Sequence, residues 1–308
     1  FDTVARSHLE HHELPWRDVA INGWVLDPDR KKMSKSKGNV ITPMNLLEQY
    51  GSDAVRYWAA SGHPGTDTAL DEGQMKIGRR LAIKILNASK FALGVGGSVD
   101  PTATSDATRP VDRSLLATLA TLTDDVTAAF VDFDYARALD HTERFFWGFC
   151  DDYLELVKQR AYGDEGAPGD PSARVTLLAA LETLLRLFAP HLPFVTEEVW
   201  SWWRPGSVHQ AAWPDGAAVR AASAGGDPAV VAIATEVLGA ARKAKTQGQR
   251  SLRAEVTRIT VRDTAARLAA LRLAADDVRA AARLTGELEL VESGEPAIEV
   301  ELAPDPRG

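Results

Sequence analysis

Between Arg30 and Lys37 the sequence carries five cations, Arg30, Lys31, Lys32, Lys35 and Lys37, with no acid among them, in a chain whose net charge is −8. Ser34 and Ser36 alternate with the lysines, and Gly38 closes the run. Ammonium groups supply point charge, hydroxyl and backbone N–H groups supply directional donors, and glycine lets the backbone turn close to an anion. The combination suits a phosphate group. Composition alone fits a solvated basic turn as well, so the order of the residues has to decide.

Other residue types that could do chemistry are weaker candidates. His8, His11 and His12 would share a helical face, but no further ligand spacing supports them, and no metal site is expected. Cys150 is the only cysteine, so no internal disulfide can form; lying near Phe146, Phe149 and Tyr153, it reads as a packed thiol. Trp200, Trp202, Trp203 and Trp213 could stack on bases, but tryptophans at the corner of a helical bundle are more often core. Basic residues concentrate again at 76 to 90 and at 242 to 253, local faces that matter more to a polyanion than the acidic total.

The elements that would position these groups are mostly helices. Val19-Ala20-Ile21 and Trp24-Val25-Leu26 read as strand pieces leading into the Asp27-Pro28-Asp29 turn. Thr42-Pro43 and Ser52 read as helix starts, and another start is expected near Asp71. Apolar stripes then recur at helical spacing: Leu81, Ile85, Ala88, Phe91; Leu115, Leu119, Leu122, Val126, Phe130; Phe146, Phe149, Tyr153, Leu156; and Leu177, Leu181, Leu184, Phe188. Each is too apolar to face water, so together they imply a bundle. Breaks fall at Gly94 to Pro110, at Tyr162 to Pro171 and at the Pro190–Pro193 corner. Residues 216–227, rich in alanine, glycine and serine, read as a linker to a small α+β module over 228–308. Within that module a helix from Asp227 to Lys245, a strand at Val256 to Val261, a helix ending at Leu273, and strands Glu287 to Val291 and Ile298 to Leu302 across a Ser293-Gly294 turn are expected. No run approaches the eighteen or so consecutive apolar residues of a membrane span.

The order Lys32-Met33-Ser34-Lys35-Ser36, followed by Gly38-Asn39, resembles the KMSKS signature that closes the nucleotide site of class I aminoacyl-tRNA synthetases. Gly51-Ser52-Asp53-Ala54-Val55-Arg56-Tyr57-Trp58, Pro64-Gly65-Thr66-Asp67, Asp71-Glu72-Gly73-Gln74-Met75-Lys76 and Asn87-Ala88-Ser89-Lys90-Phe91 resemble the valyl branch of that family in the same order. The alternatives are the isoleucyl branch, for which Asn-Thr is expected at Asn87-Ala88, and a stand-alone tRNA-binding helical protein, which would have no use for a complete signature loop. The resemblance implies a mainly α chain. Residues 1–41 would be the end of a Rossmann-like catalytic domain with the loop, 42–70 a stem-contact region and 71–215 a helical anticodon-binding domain.

It also implies roles. ATP would be a substrate, with Mg2+, and would meet Lys32, Met33, Ser34, Lys35 and Ser36, with Lys32 and Lys35 as the catalytic cations. Valine and tRNA(Val) would be the other partners of a monomeric cytoplasmic enzyme. Lys37, Arg79, Arg80, Lys84 and Lys90, with the cluster Arg242, Lys243, Lys245, Arg250 and Arg253, would meet tRNA. A sequence that opens on Phe1 and contains no His-Ile-Gly-His-like tetrapeptide, the other half of the family's ATP site, is expected to be part of a longer protein and inactive alone.

Overall fold

The computed structural model describes residues 1–97, 99–100, 102–163 and 169–304. Its first forty residues carry little regular structure. Helix α1 (Asp2–His11) buries no residue. Of the two expected strand pieces only β1 (Val25–Leu26) forms, paired in parallel with β2 (Thr68–Ala69). Val19 and Ile21 stay exposed, because β2 offers a neighbouring edge only two residues long.

Two short helices follow, α2 (Met44–Tyr50) and α3 (Ser52–Ala60). Their starts differ from expectation: Pro43 and Gly51 occupy the cap positions, and neither Thr42 nor Ser52 supplies a capping side chain. Gly51, at φ 87°, makes the turn between them. Leu46, Tyr50, Ala54, Leu70 and Met75 form a small core here. Asp71 then caps α4 (Glu72–Gly96), its Oδ1 accepting from the N–H groups of Gly73 and Gln74. Helix α3 crosses α4 at Gly78, where a Cβ would come within 2.5 Å of Tyr57.

The bundle is built from α4, α5 (Pro110–Val131), α6 (Tyr135–Gly148), α7 (Leu154–Tyr162), α8 (Pro171–Phe188) and α9 (Pro193–Ser201). The expected breaks coincide with these boundaries, and one more, at Asp132–Asp134, separates α5 from α6. Between α6 and α7 the chain stays helical through a π-helical turn at Phe149–Tyr153, so the stripe Phe146, Phe149, Tyr153, Leu156 stays buried along one continuous rod. Cys150 is buried within it, and burial pushes its thiol up to about 12. Helix α5 is long and apolar enough to cross a membrane by length and composition, yet here it is the centre of the bundle, packed against α6 and α8.

Residues 216–227 are not a tether. Gly216–Ala222 forms helix α10, which lies on α5 with Arg220 paired to Asp124, and Gly216 sits so close to Asp124 that a side chain there would collide. Helix α11 (Pro228–Gln247), capped by Asp227, also packs on α5. Beyond it come β3 (Val256–Asp263), α12 (Ala265–Leu273), α13 (Ala275–Ala282), β4 (Leu284–Glu292) and β5 (Ala297–Leu302). The last four residues, which the expected module includes, lie outside the described ones. The two final strands do not pair with each other: the sheet order is β4-β3-β5, with β4 parallel and β5 antiparallel to β3. Strand β3 takes the centre because Val256, Ile259 and Val261 are fully buried, whereas β4 and β5 alternate glutamate with aliphatics as half-solvated edges do.

Bundle and module share one hydrophobic core, running from Leu81 through Leu181 to Val237 and Ile259. A polar hub spans the same junction. Arg160 of α7 donates to Asp112 of α5 at 2.7 and 2.9 Å and to Asp277 of α13 at 2.7 and 3.2 Å, and the Tyr153 hydroxyl donates to Asp112 at 2.7 Å.

Candidate functional site

The basic run is a tight two-stranded turn on a rigid base. Leu26 bridges antiparallel to Lys32, the Asp27 N–H donates to Lys31 O at 2.9 Å, and Arg30 takes the left-handed conformation at φ 62° to close the turn. The base is fastened by two side chains that sequence reasoning gave no role. Asp27 is only 7% exposed; its carboxylate accepts from the Lys31 N–H at 2.7 Å and from Asn39 Nδ2 at 2.8 Å. The Lys31 N–H, and then the Asn39 amide, hold the Asp27 carboxyl below the usual aspartate range. Asn39 Oδ1 in turn accepts from the Ser34 N–H at 2.9 Å. The available signal was a polar residue at each end of the turn.

Past this clasp, Lys35–Lys37 forms one 3-10 turn ended by Gly38 at φ 67°. Lys35, Ser36 and Lys37 are exposed, Met33 is half-buried, and the Ser34 and Ser36 hydroxyls lie 3.3 Å apart. Lys31 pairs with Asp29 at 3.4 Å, and Lys32 lies over the indole of Trp24. The structure therefore brings the expected loop residues together, with Lys35 and Ser36 facing outward where an anion can reach them.

The other candidates divide. On α4, Lys76, Arg80 and Lys90 are exposed with spacing that keeps them on one face, alongside Asn87 and the exposed Ile83. None of these three cations has an acidic partner among the described residues, and the face ends beside Trp202, 39% exposed, whose ring lies 6.0 Å from the Lys90 ammonium. Arg79 instead donates to Gln49 O at 2.7 Å, and Lys84 pairs with Asp151 at 2.8 Å. Trp200 is core, whereas Trp213, also 39% exposed, donates to Thr127 Oγ1.

The 242–253 cluster is not one surface. Lys245 is 2% exposed, and its ammonium donates to Leu252 O and Ala282 O at 3.1 and 2.9 Å. Arg242 pairs with Asp152 at 2.9 Å, and Arg250 donates to Ala303 O at 2.9 Å. Helical spacing turns residues 242 and 245 inward together, so the expectation that Lys245 meets tRNA is corrected: it fastens α11 to the module. Lys243 and Arg253 remain exposed. Sequence reasoning also missed a clamp between α3 and the start of α9. Asp53 of α3 accepts from the N–H groups of Phe194 and Val195 at 3.1 and 2.7 Å, and Arg56 donates to Pro190 O at 2.8 Å and His191 O at 3.3 Å.

Residues 3–71 match the family described as tRNA synthetases class I (I, L, M and V), and residues 112–261 match the anticodon-binding domain of tRNA ligase. The valine–tRNA ligase of Thermobifida fusca (strain YX) is 62% identical over 99% of this chain, which covers 34% of that protein. The chain belongs to the valine–tRNA ligase family. Valine–tRNA ligases of Salinispora tropica and Salinispora arenicola are 54% and 56% identical over 96% and 91% of the chain, covering 36% and 35% of their own lengths. The chain thus spans about a third of the length of these curated valine–tRNA ligases. Among solved structures, the agnB2 LeuRS of Agrobacterium radiobacter K84, in a ternary complex with tRNA and LeuAMS, has a similar fold, with a TM-score of 0.56 at 21% identity over 69% of this chain and 26% of that one.

Proposed function

We propose that this chain is the loop-bearing and tRNA-binding part of an enzyme that activates valine with ATP and transfers it to tRNA(Val). The observation that carries the reading is the exposed Lys35-Ser36-Lys37 turn standing on the Asp27–Asn39 clasp in a chain of this family. Attack of the valine carboxylate on the ATP α-phosphorus breaks the bond to the leaving pyrophosphate, which gathers negative charge. Lys32 and Lys35 meet that charge, Ser34 and Ser36 donate to phosphate oxygens, and the half-buried Met33 anchors the turn. Among the described residues no three His, Cys, Asp or Glu side chains gather to hold a metal. Mg2+ would accompany the ATP phosphates.

The unpaired face of α4, through Lys76, Arg80 and Lys90, supplies backbone contacts to the tRNA, with Arg79 and Lys84 at its margin and Lys37, Lys243 and Arg253 as outlying contacts. The enzyme works as a cytoplasmic monomer. Valine-dependent exchange between ATP and labelled pyrophosphate tests the reading. Full-length enzyme supports exchange, and the 308-residue chain alone does not, since the rest of the nucleotide site is not in it. Robust exchange by this chain alone would move the nucleotide site elsewhere.

A further inference from the structure

The Lys32 ammonium lies 3.7 Å above the centroid of the Trp24 indole. The two stand on opposite arms of the turn. Trp24 is tied by its backbone to the segment after α3: its N–H donates to Asp67 Oδ1 at 2.7 Å, and its carbonyl accepts from the Thr68 N–H at 2.9 Å. Lys32 belongs to the loop and faces Leu26 across the antiparallel bridge. Two residues before Leu26, Trp24 shares its face, so the ring and the ammonium meet as diagonal neighbours. The acid nearest in sequence, Asp29, is spent on Lys31, and Asp67 on the Trp24 N–H, which leaves the indole as the partner of Lys32.

We propose that Trp24 is a positioning residue that holds the Lys32 ammonium while the loop is empty and yields it to phosphate when nucleotide arrives. The proposal rests on reading the loop as a phosphate grip. An indole face attracts the cation without neutralising it, as a carboxylate would. At 61% exposure of Trp24 the attraction is weak, and phosphate oxygens, which form charge-assisted hydrogen bonds, can displace it. An interaction made only in the empty state lowers apparent affinity by its own worth, here about two- to fivefold. The functional effect is on the product: a grip that has an alternative home for Lys32 lets pyrophosphate go more readily.

The test is a magnetic resonance titration of the 308-residue chain with inorganic pyrophosphate, using lysine labelled at Cε and assigning the Lys32 signal by its loss in Lys32→Ala. The Lys32 ε protons should resonate upfield in the free chain through the indole ring current. They should sit at the ordinary lysine position in Trp24→Leu, and Trp24→Phe should fall between. On titration the wild-type signal should move to the Trp24→Leu position as the Lys35 signal, assigned in the same way, responds, and Trp24→Leu should bind pyrophosphate about two- to fivefold more tightly. An unshifted Lys32 signal in the free chain, a signal that stays upfield at saturation, or equal affinities would each overturn the proposal. Silence of Lys35 in every variant would instead overturn the phosphate-grip reading, and this proposal with it.

Discussion

Lys35 is exposed on a single turn of 3-10 helix, and its side chain meets no acid among the described residues, so its charge is free for a ligand. In the full-length enzyme Lys35→Ala should slow adenylate formation by about two to three orders of magnitude while valine affinity stays nearly unchanged, the usual loss for one preorganised donor to a developing anion. Lys37→Ala should be far milder; equal damage in pre-steady-state activation would show that the roles within the turn are wrongly divided. The clasp beneath gives a pH prediction. Because the folded state holds the Asp27 carboxyl below its ordinary value, its contribution is complete above the unfolded value, about pH 4, and is lost only as pH falls through the lower folded one. The Asn39 side-chain amide signals should therefore be constant from pH 8 to about pH 5 and lose their dispersion only in stronger acid. Loss of that dispersion near pH 6 would contradict the assignment. The loop's residues were legible in sequence because they are adjacent in it. Its clasp was not, since Asp27 and Asn39 meet across a twelve-residue separation that only the folded turn closes.

At the scale of elements, α4 and α11 carry similar cation density and opposite expectations. Replacing Lys76, Arg80 and Lys90 by glutamine should weaken tRNA binding and flatten its log–log salt dependence by about two units, since each lost phosphate contact releases about 0.7 to 0.9 of a counterion fewer. The Lys243→Gln, Arg253→Gln pair should change the slope by less, and the reverse ranking would return the RNA face to α11. A second prediction concerns Arg160. Arg160→Met leaves the carboxylates of Asp112 and Asp277 facing each other at a buried junction, and urea unfolding should register a loss of about 3–5 kcal/mol; a change within experimental error would mean that the hub contributes little. The helices with a sequence start signal were readable: Asp71, Asp170-Pro171 and Asp227-Pro228 cap α4, α8 and α11 as such residues should. Helices α10 and α13 were not, because Gly-Ala-Ala-Val-Arg-Ala-Ala and Ala-Asp-Asp-Val-Arg-Ala-Ala-Ala carry too few large apolar groups to draw a stripe. The sheet order was not legible, because nearness in sequence favours a hairpin of β4 and β5, while the burial of Val256, Ile259 and Val261 favours β3 between them.

For the whole molecule, the common core decides how the chain can be divided. Removing everything after Trp213 would strip α10 and α11 from α5 and take Val230, Ile233, Val237 and Leu238, each contributing about 1.5–3 kcal/mol of burial, out of the shared core, baring the α5 surface they cover. Bundle and module should therefore unfold in one transition, and two separate transitions in calorimetry would refute the shared core. Anticodon discrimination is best sought with the full 308 residues: the cognate valine anticodon stem-loop should bind more tightly than one with its central anticodon base changed, and equal affinities over a range of salt would reduce the bundle to a nonspecific RNA clamp. Helix α9, near the far end of the α4 face, begins on a carboxylate that belongs to α3: Asp53 supplies the acceptor for its first N–H groups, and Arg56 grips the carbonyls of the preceding corner. A helix capped from within its own sequence can tilt and keep its cap. One capped by a neighbour keeps its cap only while both helices hold their places, so the start of α9 is fixed by where α3 lies. The place of α3 is set in turn at Gly78, where it rests directly on α4 with no side chain between them, so a residue on α4 with no side chain of its own decides how a helix more than a hundred residues later is capped.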